Sequence, residues 1–183
     1  MAEAQTLKDA IESRGPYAVW DLMTEDEQRE AAVALWENAD RESRVIIELT
    51  LAKDLKFRTQ SVRKLSTDRV AGRLVRLADQ VPENVLFQFL FHLHMAGRRP
   101  LLSEFLDAVG LPHSDGVLEL EDDTADPEPA AVEKAAADLL EAHGHQALVY
   151  LGTLKVADGD FWSALDGVLG GYEEDGTKHE PTA

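Results

Sequence analysis

The chain has 183 residues, which is long enough to bury a hydrophobic core without a disulfide or a structural metal. It contains no cysteine, which excludes disulfides, thiolate metal ligands and a cysteine nucleophile. Its formal net charge of −17 opposes the approach of nucleic acid.

The charge is distributed unevenly along the chain. Residues 1–40 carry 3 basic and 10 acidic residues, residues 41–99 carry 12 and 6, and residues 100–183 carry 3 and 19. The basic middle either folds against the acidic ends, which would neutralise it, or binds an anionic partner. The sequence leaves both alternatives open.

The sequence shows no pattern of a targeting or membrane segment. The first residues lack the basic and apolar regions of a signal peptide. The longest apolar run, 85–95, is interrupted by Gln88, His92 and His94 and is too short to span a bilayer. We therefore expect a cytoplasmic protein of bacterial type that does not associate with membranes.

Helix signals dominate the sequence, and the first clear one is at Thr24. Thr24 and Glu27 have the three-residue spacing of a capping box, so a helix should begin between them and continue to about Asn38. Asp40 can cap the next helix in the same way.

The helix after Asp40 has an unusually broad apolar face. Its apolar residues form two adjoining stripes: Ile47, Leu51 and Leu55 on one, and Val45, Leu49 and Ala52 on the other. A face of this width predicts a helix that packs against more than one neighbour.

Three further helices follow before residue 111. Ser66 can cap a helix with an apolar side, Pro82 suits the first turn of the next helix, and the last opens at Pro100 and closes at Gly110. Within 85–95 the apolar residues also alternate as they would in a strand. We expect a helix there, because of Pro82 and the length of the run.

Helical periodicity is absent from 111–128 and then returns. Prolines, glycines and a cluster of acids in 111–128 are typical of an exposed acidic linker, within which 117–120 can form a short extended piece. Helices are expected near 130–142, 146–156 and 161–169. Residues 173–183 are expected to form a flexible acidic tail.

An internal repeat connects the two halves. At offsets of 60 and 62 residues, apolar positions of 66–110 coincide with apolar positions of 129–170. The sequence therefore predicts an all-α fold of eight to ten helices in antiparallel hairpins or a bundle, with the possibility of two related three-helix units. We expect one helical domain over 1–172, and we expect Leu51, Leu74, Leu90, Phe105 and Leu148 in its core.

Two groups of basic residues are candidate sites. Arg98 and Arg99 precede a helix N-terminus and, with His94, predict a site for a carboxylate or phosphate. The segment 53–76 is the one concentrated basic stretch, and its candidate surface consists of Arg63, Lys64, Arg69, Arg73 and Arg76. The alternative for both groups is pairing with acidic residues of the chain itself.

The histidines are weaker candidates. His92 and His94 could share a metal ion if 85–95 were a strand, but in a helix they point in different directions. His143 and His145 lie at a predicted helix end, where a histidine is stabilised by the helix dipole. We therefore expect neither a metal nor a cofactor.

The sequence indicates a role in binding more than one in catalysis. It has no phosphate-binding glycine loop, no Gly-x-Ser-x-Gly elbow and no His-Glu-x-x-His motif. We therefore expect a non-catalytic interaction or scaffold protein with a protein partner. A small-ligand or anion-binding protein or enzyme using His94, Arg98 and Arg99 is one alternative, and a nucleic-acid-linked protein using 53–76 is another.

Overall fold

In the computed structural model, which describes residues 5–121 and 124–178, the protein is 72% helical. The described residues form eleven α-helices: α1 Leu7–Arg14, α2 Pro16–Leu22, α3 Glu25–Asn38, α4 Arg41–Leu55, α5 Thr59–Val62, α6 Thr67–Leu77, α7 Glu83–Gly97, α8 Arg99–Val109, α9 Pro129–His143, α10 His145–Ala157 and α11 Asp166–Leu169. Between them lie two 3₁₀ helices, Ala78–Gln80 and Ser163–Leu165, and two strands, β1 His113–Ser114 and β2 Val117–Leu118. The predicted all-α class is confirmed.

The predicted helix starts are present. Thr24 and Glu27 form the full capping box, with the Thr24 Oγ1 accepting from the Glu27 N–H at 3.2 Å and the Glu27 Oε2 accepting from the Thr24 N–H at 3.0 Å. Asp40 and Ser66 cap α4 and α6 by accepting the backbone N–H three residues later. Each cap satisfies an amide that the helix leaves without an intrahelical partner.

Residues 85–95 are helical, because they lie within α7. The alternation of Phe and Leu therefore does not mark a strand. Phe89 and Leu90 are both fully buried although they are adjacent, which a half-buried strand would not allow. The arrangement that would let His92 and His94 share a metal on one strand face is thus excluded.

The chain divides into two compact units, and each is described by itself. The central unit is Met23–Ala96, and the terminal unit combines Met1–Leu22 with Gly97–Ala183. The prediction of one domain over 1–172 stays a prediction.

In the central unit, α3 packs against α6, and α4 packs against both α5 and α6. Leu35, Ile47, Leu51 and Leu74 are fully buried there. These are the inward positions of amphipathic helices, so burial of their apolar stripes stabilises the unit.

In the terminal unit, α9 packs against α8 and α10, and α10 also packs against α2. Phe105 on α8 is fully buried, and its ring contacts those of Tyr150 and Trp162 at centroid distances of 5.7 Å each. Burial raises the pKa of the Tyr150 hydroxyl well above its ordinary value.

The five core residues expected from the sequence are at most 2% exposed, so that prediction is confirmed. They lie in both units: Leu51, Leu74 and Leu90 in the central unit, and Phe105 and Leu148 in the terminal unit.

The chain after α10 differs from the expected single helix over 161–169. It forms a turn, a 3₁₀ helix and the four-residue α11. The Lys155 side chain is only 8% exposed; its ammonium donates to the Gly159 carbonyl at 2.8 Å and lies 2.6 Å from the Asp166 Oδ1. A buried ammonium needs such partners, and here one comes from the turn after α10 and the other from the first residue of α11.

The acidic tail expected over 173–183 is hydrogen-bonded in its described part. The Leu7 N–H donates to the Tyr172 carbonyl at 2.9 Å, and the Glu174 N–H donates to the Gln5 carbonyl at 3.1 Å. Residues 179–183 lie outside the described residues, as do Asp122 and Asp123 of the expected linker.

That linker contains a β-hairpin. β1 and β2 pair antiparallel through a two-residue loop, Asp115-Gly116, whose φ angles are 50° and 79°. Two positive φ values are typical of a type I′ turn, for which Asp-Gly is a favoured sequence. A Cβ on Gly116 would lie 2.7 Å from the Leu102 Cβ and 3.0 Å from the Arg99 carbonyl oxygen, so the turn lies directly on α8.

We predict that Gly116→Ala lowers the free energy of unfolding by roughly 1–3 kcal/mol, because Ala is strained at this φ and would overlap Leu102. Urea denaturation of the native chain and the variant measures this difference in the free energy of unfolding. Gly97→Ala is the matched control: its Cβ meets nothing within 4 Å, and Ala favours the helix. Equal effects of the two substitutions would contradict the close packing of the turn.

Candidate interaction surface

The three residues predicted to bind an anion, His94, Arg98 and Arg99, lie in different environments. His94 and Arg98 are buried, with exposures of 2% and 6%. The Arg99 guanidinium donates through Nη1 to the Asp115 carbonyl at 3.2 Å and to its Oδ2 at 3.1 Å. Arg99 therefore holds the β-hairpin on α8, and anion binding by this group stays a prediction.

The predicted basic surface separates into paired and exposed cations. The Arg73 Nε lies 3.2 Å from the Asp54 Oδ2, and Arg63 binds Glu48. Lys64, Arg69 and Arg76 are exposed and form no ion pair with the described residues. The sequence could not make this distinction, because the paired carboxylates lie on α4, 15 and 19 positions earlier in the chain.

Glu48 and Arg63 form a bidentate ion pair at a buried carboxylate. The Arg63 Nε donates to both Glu48 oxygens at 2.9 and 3.0 Å, and Nη2 donates to Oε2 at 2.8 Å. The Glu48 side chain is 2% exposed, whereas that of Arg63 is 62% exposed. The hydrogen bonds to Glu48 raise the pKa of Arg63 above its ordinary value, so the guanidinium stays charged.

Helix α4 buries Ala52 of its second apolar stripe but leaves Val45 and Leu49 of that stripe exposed. The expected packing against more than one neighbour is confirmed, because α4 contacts α5 and α6. That packing buries Ile47 and Leu51 completely, but Val45 and Leu49 remain 46% and 56% exposed. Val45 and Leu49 are one helical turn apart, so they form a continuous outward ridge.

Exposed cations continue this ridge toward the end of α4. Lys53 lies one turn beyond Leu49 on the same side of the helix. Lys56 ends the helix in the left-handed conformation with φ 54°, and Phe57 follows it with 42% of its surface exposed. Lys53, Lys56 and Arg58 are exposed and form no ion pair within the described part of the chain.

We call Val45, Leu49, Lys53, Lys56, Phe57 and Arg58 the α4 face. It combines three large exposed apolar side chains with three exposed cations. Clusters of exposed apolar residues on a folded protein are typical of interaction sites, and cations beside them favour an anionic partner. From the sequence we expected neighbouring elements to cover this second stripe as well, and the exposure of Val45 and Leu49 corrects that expectation.

The histidines make local contacts. The His143 Nε2 lies 2.8 Å from the Glu104 Oε2, so His143 links α9 to α8, and His145 is exposed. His92 packs edge-to-face on Phe91. Among residues 5–121 and 124–178 there is no group of three or more side chains that could hold a metal ion.

Partial burial lowers the pKa of His92 below its ordinary value, and the nearby Asp40 carboxylate opposes that shift. The pKa of the Asp40 carboxyl is also below its ordinary value. The largest cause is the hydrogen bond that the Ser43 N–H donates to this carboxylate at the start of α4.

The terminal unit has an open groove of about 610 Å³. Its lining is aliphatic or glycine apart from Glu141, Tyr172 and Lys178. A small-molecule site usually brings several polar groups together in a more enclosed pocket, so the groove does not indicate a ligand.

No protein-family model matches the chain, and no curated protein or solved structure matches it either. In the described ranges, every helix is too short or too polar to cross a membrane.

We predict that Arg63→Ala lowers the free energy of unfolding by roughly 1–3 kcal/mol, because Glu48 would lose the guanidinium that compensates its burial. The neighbouring Lys64→Ala should change it by less than about 0.5 kcal/mol, because Lys64 is exposed and has no ion pair with a described residue. Chemical denaturation of both variants tests this. An Arg63 effect as small as that of Lys64 would show that the buried Glu48 carboxylate does not depend on Arg63.

The lowered pKa of His92 predicts a pH-dependent stability. The neutral imidazole contributes fully above its ordinary pKa of 6.5, and the contribution is lost as pH falls through the lower folded-state value. Between about pH 7 and pH 5 the free energy of unfolding should therefore fall less in His92→Gln than in the native chain. Parallel pH curves for the two proteins would contradict the prediction.

Proposed function

We propose that the protein is a non-catalytic helical interaction module whose α4 face binds an acidic, apolar segment of a partner protein. The observation that carries the proposal is the exposed ridge of Val45 and Leu49 beside three exposed cations. Burying the exposed halves of two such side chains is worth about 1 kcal/mol each, and the cations would select a partner of opposite charge.

A helix is the partner shape that suits this ridge best. Val45 and Leu49 lie on one line along α4, with Lys53 at its end. An amphipathic helix can lay its apolar side along such a line while its acidic residues reach the cations. The adjacent Phe57 adds an aromatic side chain, a residue type enriched at the centres of interfaces.

A nucleic-acid partner is less well supported. Single-stranded nucleic acid, like an acidic protein segment, would contact cations, and its bases would stack on an exposed aromatic residue. The α4 face offers one aromatic, Phe57, and the central unit as a whole has 11 basic and 12 acidic residues. That near-neutral balance favours a partner that also buries apolar surface.

The internal repeat of 66–110 and 129–170 is retained as a proposal of related architecture. It is supported by the apolar matches at offsets of 60 and 62 residues. The proposed binding function does not depend on it.

The test is a titration with a synthetic peptide helix that has leucines on one side and glutamates on the other. Leu49→Asp should weaken binding by about tenfold or more, because it removes apolar contact and adds a repelling charge. Raising the salt concentration should weaken it further. Fluorescence anisotropy of the labelled peptide gives the dissociation constants.

Two controls define the outcome. Phe91→Asp changes another exposed apolar residue, outside the α4 face, and should leave the affinity unchanged. A peptide with lysines in place of the glutamates should bind weakly. Equal binding of both peptides, or no effect of Leu49→Asp, would contradict the proposal, and preferential binding of a single-stranded oligonucleotide would replace it with the nucleic-acid alternative.

A further inference from the structure

The exposed large apolar side chains of the described residues fall into two groups with opposite surroundings. Six such residues are exposed, and three of them, Val45, Leu49 and Phe57, belong to the basic α4 face. Val117 and Leu120 lie in 117–128, which we call the acidic segment. Phe91 is the sixth and belongs to neither group. Five of the six thus lie on two surfaces of one chain.

The acidic segment presents its apolar residues among carboxylates. Leu120 is 49% exposed between Glu119 and Glu121, which are also exposed. Val117 is 39% exposed in strand β2, which begins the segment. The sequence adds Asp122, Asp123, Asp126 and Glu128, and contains no basic residue between 117 and 128.

This segment has the composition that the α4 face is expected to bind. The two exposed apolar side chains of the segment, Val117 and Leu120, can pack on the exposed side chains of Val45 and Leu49. Its carboxylates can pair with Lys53, Lys56 and Arg58, which have no ion pair with a described residue. Opposite charges around apolar centres are the usual arrangement of specific interfaces.

We propose that the acidic segment of one copy of this chain binds the α4 face of a second copy, head to tail. The inference rests on the proposed function of the α4 face and names its partner. Because the two surfaces are different, the contact is heterologous, so each copy can bind one neighbour through each surface. Association should therefore increase with protein concentration and decrease with salt.

The charge balance of the two units is consistent with this contact. The terminal unit, which carries the acidic segment, has 7 basic and 23 acidic residues, for a net charge of −16, whereas the central unit has a net charge of −1. A contact between two terminal units would bring like charges together, whereas the proposed contact places the cations of one copy against the carboxylates of another.

The experiment uses two full-length variants that each remove one surface. Leu49→Asp disables the α4 face, and Leu120→Asp disables the acidic segment. Each variant alone should be monomeric in sedimentation velocity at concentrations where the native chain associates. An equimolar mixture should form a dimer, because the intact segment of Leu49→Asp can bind the intact face of Leu120→Asp.

Phe91→Asp is the control, since it adds a charge at an exposed apolar residue outside both surfaces, and it should associate like the native chain. Circular dichroism of the three variants checks that they remain folded. Recovery of a dimer in the mixture, with monomers in each variant alone, supports the head-to-tail contact. Association of either variant alone, or a mixture that stays monomeric, overturns it.

A native chain that is monomeric at every concentration also overturns this inference. That outcome leaves the proposed function separately testable, because the synthetic acidic helix can still bind the monomer at the α4 face. Loss of both results would overturn the two proposals together.

Discussion

Burial of the Glu48 carboxylate constrains the surface around α4. A carboxylate with 2% exposure requires a partner, and Arg63 supplies it with three hydrogen bonds. To reach Glu48, the chain must turn back after α4, and it does so through the left-handed Lys56 and the short helix α5. Val62 in α5 is fully buried, which anchors the same turn by apolar contact.

This turn explains why the α4 face is open at one end and basic. Helix α4 contacts α5 and α6 and buries Ile47 and Leu51, whereas Val45 and Leu49 of the adjoining stripe remain exposed. The turn itself contains Lys56, Phe57 and Arg58, which follow the C-terminal end of α4 and are exposed. The ion pair at the buried Glu48 carboxylate thus holds a segment whose other cations, Lys56 and Arg58, stay exposed to solvent.

Local signals in the sequence predicted most of the long helices between Thr24 and Ala157, whereas α1, α2 and α5 were not predicted. Caps depend on a few neighbouring atoms, so Thr24, Asp40 and Ser66 could be assigned without knowledge of the fold. The Asp115-Gly116 hairpin was also readable, since Asp-Gly is a favoured type I′ pair, but its position within an acidic, proline-containing stretch favoured the interpretation as a linker.

The candidate sites were harder to predict, because pairing depends on distant residues. Arg63 and Arg69 look alike in the sequence, yet only Arg63 reaches a buried carboxylate. Arg99 is used by a hairpin that begins 14 positions later, and the burial of His94 and Arg98 follows from packing that periodicity does not specify. The open stripe of α4 was visible as a pattern, but whether a neighbour covers it is a tertiary property.

The most direct measurement of the central claim is a methyl-resolved NMR experiment on the folded chain with the acidic amphipathic helix added. Saturation of the bound peptide should transfer to the methyl groups of Val45 and Leu49, and not to those of Leu51, which is fully buried on the same helix. Such a pattern would identify the outward stripe of α4 as the contact. Transfer confined to methyl groups of the terminal unit, or none at Val45 and Leu49 while the peptide is bound, would contradict the account.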